Sequence, residues 1–437
     1  MSTFRPGQTV WLEIAGERCE IQELIGTGNQ GQVYRVLLNG QEHAVKWYFP
    51  GSATRRQRAR IELLIKKGPP SDRFIWPLDI TLCQGFPGFG YLMPLREPRY
   101  RSLADLMNRE IDPTFRTLTR AALEMVDSFL RLHSFGLCYN DISFGNIFLD
   151  PDTGEVRLCN NDNVALDGEG TGSALGTPRF MAPEIVGGHA RACISTDLHS
   201  LAVILFYLFM IHHPMEGRHE RDISCLDLEA MQKLYGSEAL FIFDPKQGMN
   251  RPVTGVHNNA ALFWNLYPGY VRDIFTRAFT EGLRDPAKRV RESEWRTVFT
   301  QMRDQIFYCH KCAVENFLIK DGDGQSPVAD QPCWACGEVP IPPMRLRFGS
   351  HSVVLNQDTV LYPHHLDVNR RNDFSETMAE MVPHPKKANV WGLKNLSPQT
   401  WTSIGPSGTS VEVGSGRSVS VVPGLRIRFG NVEGTVA

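Results

Sequence analysis

Residues 26–33 read Gly26-Thr27-Gly28-Asn29-Gln30-Gly31-Gln32-Val33, a G-x-G-x-x-G-x-V pattern, and His43-Ala44-Val45-Lys46 comes ten residues later. Glycines let backbone N–H groups approach phosphate oxygens, and a lysine on a neighbouring strand supplies the countercharge. Glycine spacing alone does not separate this pattern from a dinucleotide fingerprint, in which the glycines open a helix. Here they lie between two strand-like runs, Glu20–Ile25 and Gln32–Leu38, so the loop is expected to close a β-hairpin over its ligand. A second chemistry stands further on. Cys309-His310-Lys311-Cys312 and Cys333-Trp334-Ala335-Cys336 form a C-x2-C-x20-C-x2-C array. Four thiolates complete a tetrahedral zinc and leave no open position, so the metal would be structural. Two redox-active pairs are the rival reading, without a thioredoxin-like pattern to support it.

The elements that position these residues must come from a large chain. Its 437 residues suggest two or three domains, and a 42% apolar content allows a sizeable core. A net charge of −2 and a pI near 6.7 give no electrostatic case for nucleic acid or a membrane surface. The N-terminus lacks a signal-type apolar run, and Leu201–Ile211 is about half the ~20 residues a membrane span requires. The six remaining cysteines, Cys19, Cys83, Cys138, Cys159, Cys193 and Cys225, are scattered, as buried thiols in a reducing compartment are. A cytoplasmic location is expected.

The glycine loop and lysine strand, together with the motifs C-terminal to them, resemble a bacterial eukaryotic-like (Hanks-type) serine/threonine protein kinase, from about residue 10 to 305. The resemblance implies that Gly26, Thr27, Gly28, Gly31, Val33 and Ala44 wall a nucleotide, and that Lys46 holds its α- and β-phosphates. Lys46 then needs a helix glutamate. Glu62, the sole acidic residue between Trp47 and Ser71, is the expected partner. Gly90-Tyr91-Leu92-Met93 would lead to the hinge Pro94-Leu95-Arg96, with Met93 as gatekeeper and Leu95 beside the adenine. Cys138–Leu149 is similar to the catalytic loop H-R-D-x-x-x-x-N: Asp141 orients the substrate hydroxyl or accepts its proton, and Asn146 ligates a metal. Tyr139-Asn140 replaces His-Arg, which leaves no partner for a phosphorylated activation loop, and Ser143 stands where a lysine is usual.

The metal-binding D-F-G position departs further. Counting from the strand Val156–Cys159 puts Asn160 there; a shift of two residues puts Asp162 there, on the same side of an extended segment. Asp162 is the carboxylate of this stretch and the expected ligand for Mg²⁺, a hard cation. Gly176–Glu184 resembles the close of an activation segment, with Thr177 marking a serine/threonine platform. Glu184 would pair with Arg289, and Asp197 would be the structural aspartate.

The chain turns all-β from Pro342. Met344–Gly349 and Leu425–Gly430 are near-repeats with period-two alternation, read as first and last strands with one buried face. The stretch from Trp391 to Gly430 resembles the C-terminal half of a forkhead-associated (FHA) domain. Its phosphothreonine-gripping asparagine is replaced by Ser397-Pro398-Gln399-Thr400, and Leu361–Leu366, with His364-His365, is read as an exposed loop.

The expected architecture is thus an α+β bilobal kinase domain over 1–305 (lobes about 1–95 and 96–305), a zinc ribbon over 306–340 and an FHA-like β-sandwich over 341–437. The expected activity is transfer of the γ-phosphoryl group of ATP, with Mg²⁺ or Mn²⁺, to a protein hydroxyl in bacterial stress signalling. A nucleotide-binding pseudokinase acting as a scaffold is the alternative. The domain combination resembles kinases of tellurite-resistance-type operons, which implies a von Willebrand A-type protein and a metal-dependent phosphatase as partners.

Overall fold

The computed structural model describes residues 4–169, 178–320, 327–328, 332–349, 351–387 and 390–437. Gly176 and Thr177, and residues 321–326 and 329–331 between the two cysteine pairs, lie outside them. Two compact units share the chain. The first comprises residues 1–113, 120–263 and 274–293, and the second residues 114–119, 264–273 and 294–437. Residues 306–340 and the C-terminal β-strands both fall in the second unit, together with parts of the helices Phe115–Ser134, Asn258–Leu266, Gly269–Arg284 and Glu292–Asp304. Part of the reason is apolar. Phe115, Tyr267, Phe317 and Trp334 pack ring against ring at 5.0–5.8 Å.

The first unit opens with a closed barrel of strands β1 (Thr9–Leu12), β2 (Arg18–Thr27), β3 (Gly31–Leu38), β4 (Gln41–Tyr48), β5 (Asp79–Cys83) and β6 (Phe86–Pro94), in the order β1-β2-β3-β4-β6-β5. Alternation along each strand sorts the side chains into two sets. Cys19, Ile21, Tyr34, Val36, Val45, Trp47 and Leu92 fill the interior. Val33, Ala44, Lys46, Tyr91 and Met93, which pair across β3, β4 and β6 as Val33↔Lys46↔Tyr91 and Ala44↔Met93, share the opposite face. Between β4 and β5 runs helix α1 (Arg55–Lys67). The Thr54 side chain caps its start and Gly68, at φ 73°, ends it, while Ile61 and Leu64 are its buried residues.

Behind the barrel the unit is mostly helical. The helix Ile194–Met210 is apolar all round from Leu201 onward and buried throughout that stretch, as a helix segment without a polar face must be. No helix among the described residues is long and apolar enough to cross a membrane.

In the second unit, Ile306–Tyr308 and Glu315–Phe317 form a hairpin ahead of a sandwich. One sheet has six strands, ordered His351–Val354, Arg345–Phe348, Val432–Val436, Arg426–Phe429, Trp401–Ile404 and Ser410–Val413; the other has four, Val360–Leu361, Ala379–Pro383, Trp391–Asn395 and Ser418–Ser420. Leu346, Leu361, Leu393, Trp401, Ile427 and Phe429 are part of the core between them. Arg426–Phe429 is not the last strand. Gly430, at φ 79°, turns the chain back, and Val432–Val436 inserts between the two near-repeats.

Candidate active site and cysteine cluster

The glycine loop is the tip of the β2–β3 hairpin, with Thr27 paired to Gln32 and the Gly28 N–H bonded to the Gly31 carbonyl at 2.9 Å. Gly31 is dictated by packing: a Cβ there would lie 2.2 Å from the Trp47 carbonyl oxygen of the next strand. Gly26, Thr27 and Gly28 form the tip's first side, and Gln30 reaches across to the Asn163 side-chain oxygen at 3.4 Å. On the strand face opposite the barrel interior, Val33, Ala44 and Met93 surround Lys46, and Leu95 comes just after the end of β6.

Lys46 is 5% exposed, and its Nζ donates to Asp162 Oδ2 at 2.8 Å and to Asn160 Oδ1 at 2.9 Å. It does not meet Glu62. Glu62 faces solvent and pairs with Arg58 one turn back on α1, at 2.9 Å. The inward stripe of the helix runs through Gln57, Ile61 and Leu64, and Glu62, about 100° round from Ile61, points elsewhere. This corrects the expected Lys46–Glu62 pair.

Asn160 and Asp162 both converge on the lysine, but differently. Asn160 adopts a left-handed backbone (φ 58°, ψ 37°) and its Nδ2 donates to Asn146 Oδ1 at 3.1 Å. Asp162 is wholly buried on the far side, where the Tyr48 hydroxyl donates to Oδ2 at 2.6 Å. Burial first, then the Asp162 charge, holds the Tyr48 phenol well above its usual pKa. Between them Asn161 is buried with Nδ2 donating to the carbonyls of Ile75 and Leu158, at 2.8 and 2.9 Å, which fixes the segment against the strand before it.

The loop after Leu137–Cys138 carries Asp141. Asn163 Nδ2 donates to Asp141 Oδ2 at 3.0 Å, and Asn146 Nδ2 donates to the Asp141 carbonyl at 2.7 Å. Burial raises the Asp141 pKa, and the amides of Asn163 and Asn146 oppose it. Asn140, at φ 71°, donates to the Asn163 carbonyl at 2.9 Å, and the Tyr139 hydroxyl donates to the Cys159 carbonyl. Asp197 holds the loop from below by accepting the backbone N–H groups of Tyr139 and Asn140. Arg289 makes a two-pronged pair with Glu184 at 2.7 Å on each arm and also donates to the Ser195 carbonyl. Beside Ser143, a cavity of about 370 Å³ is lined by Phe144, Phe180, Leu226, Met231 and Tyr235, among others.

The sequence reading missed Tyr48, Gln57 and Asn163. Tyr48 was within reach of it, since strand periodicity places residue 48 on the same face as Lys46. Gln57 and Asn163 belong to no motif and emerge from the packing alone.

Comparison with known proteins adds the family. The protein kinase domain family matches residues 19–255, more than half of the chain. The chain belongs to the protein kinase family. It is 30% identical over 217 residues to the DNA damage-responsive serine/threonine-protein kinase RqkA of Deinococcus radiodurans, 47% of this chain and 32% of that protein. It is 32% identical over 220 residues to protein kinase C delta type of Mus musculus, 47% of this chain and 31% of the relative. The matched segments thus span about a third of these relatives' lengths. The match ends well before the cysteines, so the kinase domain is succeeded by a β-rich C-terminal region outside the family's reach.

In that region the four cysteines come together. Cys309 and Cys336 sulfurs are 3.7 Å apart, Cys312 and Cys333 sulfurs 3.6 Å, and all four lie within 4.8 Å of one another. Both knuckles have the same build. Ala313 N–H bonds back to the Cys309 carbonyl and Gly337 N–H to that of Cys333, with φ of 59° and 71°. Asn316 Nδ2 donates to the Cys333 sulfur at 3.5 Å.

Asp304, His364 and His365 make a second cluster of potential metal ligands. The proton pattern argues otherwise. His365 Nδ1 accepts the Tyr362 N–H at 2.9 Å, so its Nε2 carries the proton and donates to Asp304 at 3.2 Å. The two histidines also correct the exposed-loop reading: they sit on a short helix, Pro363–Leu366, with His365 buried.

Proposed function

We propose that the chain is an ATP-dependent serine/threonine protein kinase that transfers the γ-phosphoryl group to a protein hydroxyl. The observation that carries this is one continuous polar network, Lys46–Asn160–Asn146–Asp141–Asn163, facing the glycine loop. Lys46 would hold the nucleotide's phosphates, and Val33, Ala44, Met93 and Leu95 would wall its base. Asp141 is fixed by two amides with its proton affinity raised, as suits a residue that orients a hydroxyl and receives its proton. The apolar cavity beside Ser143 suits a polypeptide substrate with an apolar side chain near the acceptor.

The donor set also fits a hard divalent cation: Asn146 and Asp162 would hold Mg²⁺ or Mn²⁺, which would neutralise phosphate charge. Asn160 beside Asn146, an amide where the family carries a carboxylate, is the observation that favours the competing reading of nucleotide binding without transfer. Incubation with labelled ATP and either metal separates the two. Wild type should label itself or a generic substrate, and Lys46→Ala and Asp141→Asn should each lower the rate by about 10²-fold or more. Bound nucleotide with no transfer under either metal would establish the pseudokinase instead.

The same proposal extends to the C-terminal region. A zinc–sulfur bond of about 2.3 Å gives a tetrahedral edge near ~3.8 Å, which the sulfur separations match, so Cys309, Cys312, Cys333 and Cys336 are proposed to hold one structural zinc. The two-sheet sandwich with its Trp391–Gly430 pattern supports an FHA-like domain. The combination resembles kinases of bacterial stress operons, and on that resemblance alone a von Willebrand A-type protein and a metal-dependent phosphatase are proposed as partners.

A further inference from the structure

Among the described residues, the carboxylate that meets Lys46 comes from Asp162 rather than from helix α1. Yet α1 is tied to the same spot. Gln57, on its first turn, donates from Nε2 to the Tyr48 hydroxyl at 2.9 Å and to the Asp162 carbonyl at 2.9 Å. The Tyr48 hydroxyl donates to Asp162 Oδ2, the oxygen that Lys46 also binds. One side chain of the helix thus reaches both the backbone of Asp162 and the hydroxyl that supports its carboxylate.

We propose that Gln57 and Tyr48 are positioning residues that hold Asp162 as the anion for Lys46, doing jointly what a glutamate on this helix would do directly. The inference rests on reading Lys46 as the nucleotide lysine. Its physical basis is satisfaction of a buried charge. Asp162 is wholly buried, and a buried carboxylate that loses a donor is destabilised in that position. Without the Tyr48 hydroxyl, Asp162 keeps the lysine on Oδ2 and the buried Tyr91 beside it, and the ammonium is drawn toward the carboxylate rather than held where phosphates arrive. Without Gln57, the Tyr48 hydroxyl can rotate away and the Asp162 carbonyl loses its partner. Because Tyr48 and Gln57 are neutral, the site carries one negative charge fewer than it would with a helix glutamate added.

The test compares Tyr48→Phe, Gln57→Ala and Glu62→Ala in the full chain, with Lys46→Ala as reference. Affinity for a fluorescent ATP analogue and the ammonium resonance of Lys46 in ¹⁵N-lysine-labelled protein are both read. Tyr48→Phe and Gln57→Ala should each weaken the analogue by about fivefold, the size of one net hydrogen bond, and should shift or broaden the Lys46 resonance. In turnover the KM for ATP should rise by a similar factor, and kcat should fall as well. Glu62→Ala should match wild type in every readout. An altered Lys46 resonance in Glu62→Ala, or an unaltered one in both Tyr48→Phe and Gln57→Ala, would overturn the inference. Wild type that fails to bind the analogue would instead remove the nucleotide role of Lys46, while the resonance would still decide what holds it.

Discussion

His133 Nε2 lies 3.2 Å from Asp197 Oδ2, the same oxygen that accepts the backbone N–H of Tyr139. The other ring nitrogen of His133 meets Glu292. A buried imidazole between two carboxylates thus sits directly under the residues that carry Asp141. Its charge helps decide how firmly Asp197 is held, and through Asp197 how firmly the loop is held.

Stability should therefore depend on pH through His133. Burial disfavours its charge, but the bonds to Asp197 and Glu292 prevail and raise its pKa to about 9. A raised pKa stabilises the fold fully below the free-histidine value of about 6.5, and that contribution is lost as pH rises through about 9. The amount at stake is on the order of 3 kcal/mol. Thermal melts from pH 6 to 9.5 should show wild type losing stability across the upper part of this range. His133→Gln should start lower and lose much less; equal slopes would show that the histidine is neutral in the fold.

Asp162 and Asn160 should differ in their effect on the metal. Asp162→Ala should raise the Mg²⁺ concentration needed for nucleotide binding by about tenfold or more, because a hard cation is balanced best by an anionic oxygen. Asn160→Ala should cost less. Titration of Mg²⁺ at fixed nucleotide checks the ranking. The reverse order would make Asn160, which already touches Asn146, the metal-side ligand and leave Asp162 solely as the partner of Lys46.

How much of the fold and site is legible in the sequence depends on physical range. The β2–β3 hairpin and the lysine strand rest on local alternation and glycine spacing, and Arg289 and Glu184, 105 positions apart, were brought together by family resemblance. Glu62 failed because charge composition does not say which face of a helix turns inward; the buried Ile61 and Leu64 decide that, and they place Gln57 in line instead. The order of the final strands failed for a related reason. Leu425–Gly430 and Met344–Gly349 show the right alternation, but strand neighbours are chosen by the turn at Gly430, which brings Val432–Val436 between them. Asn161 illustrates the limit most plainly: its burial depends on carbonyls of Ile75 and Leu158 that no motif connects to it.

Purified chain should carry about one zinc with tetrahedral sulfur ligation. The ribbon has little core of its own, so metal binding is coupled to its folding. Trp334 reports on it. The indole N–H bonds to the Glu315 carbonyl at 2.9 Å and the ring lies 5.8 Å from Phe115. A high-affinity chelator should therefore change tryptophan fluorescence and increase amide exchange at 306–318 and 332–340. Cys312→Ser should reduce zinc content below half. Elemental analysis without metal in protein prepared under reducing conditions would refute the assignment, as would a native disulfide within the cluster.

Phosphothreonine peptides should bind the C-terminal sandwich weakly or not at all. The turn that would present a phosphate grip is consumed internally. Asn395 is fully buried and donates to the carbonyls of Gln399 and Val413 at 2.7 and 2.9 Å, and its Oδ1 accepts both the N–H and the hydroxyl of Ser397. Ser397 in turn accepts the Trp401 indole N–H at 3.1 Å. These groups cannot turn outward without unpairing a buried amide, which costs about 1–3 kcal/mol per lost partner, and Pro398 offers no backbone donor beside them. A phosphate reader instead needs charge-assisted donors free at the surface. Titration of the full chain with a phosphothreonine peptide library, before and after dephosphorylation, decides the matter. Equal, weak binding in both arms is the expected result, and an affinity that collapses on phosphate removal would mean that another loop of the sandwich supplies the grip.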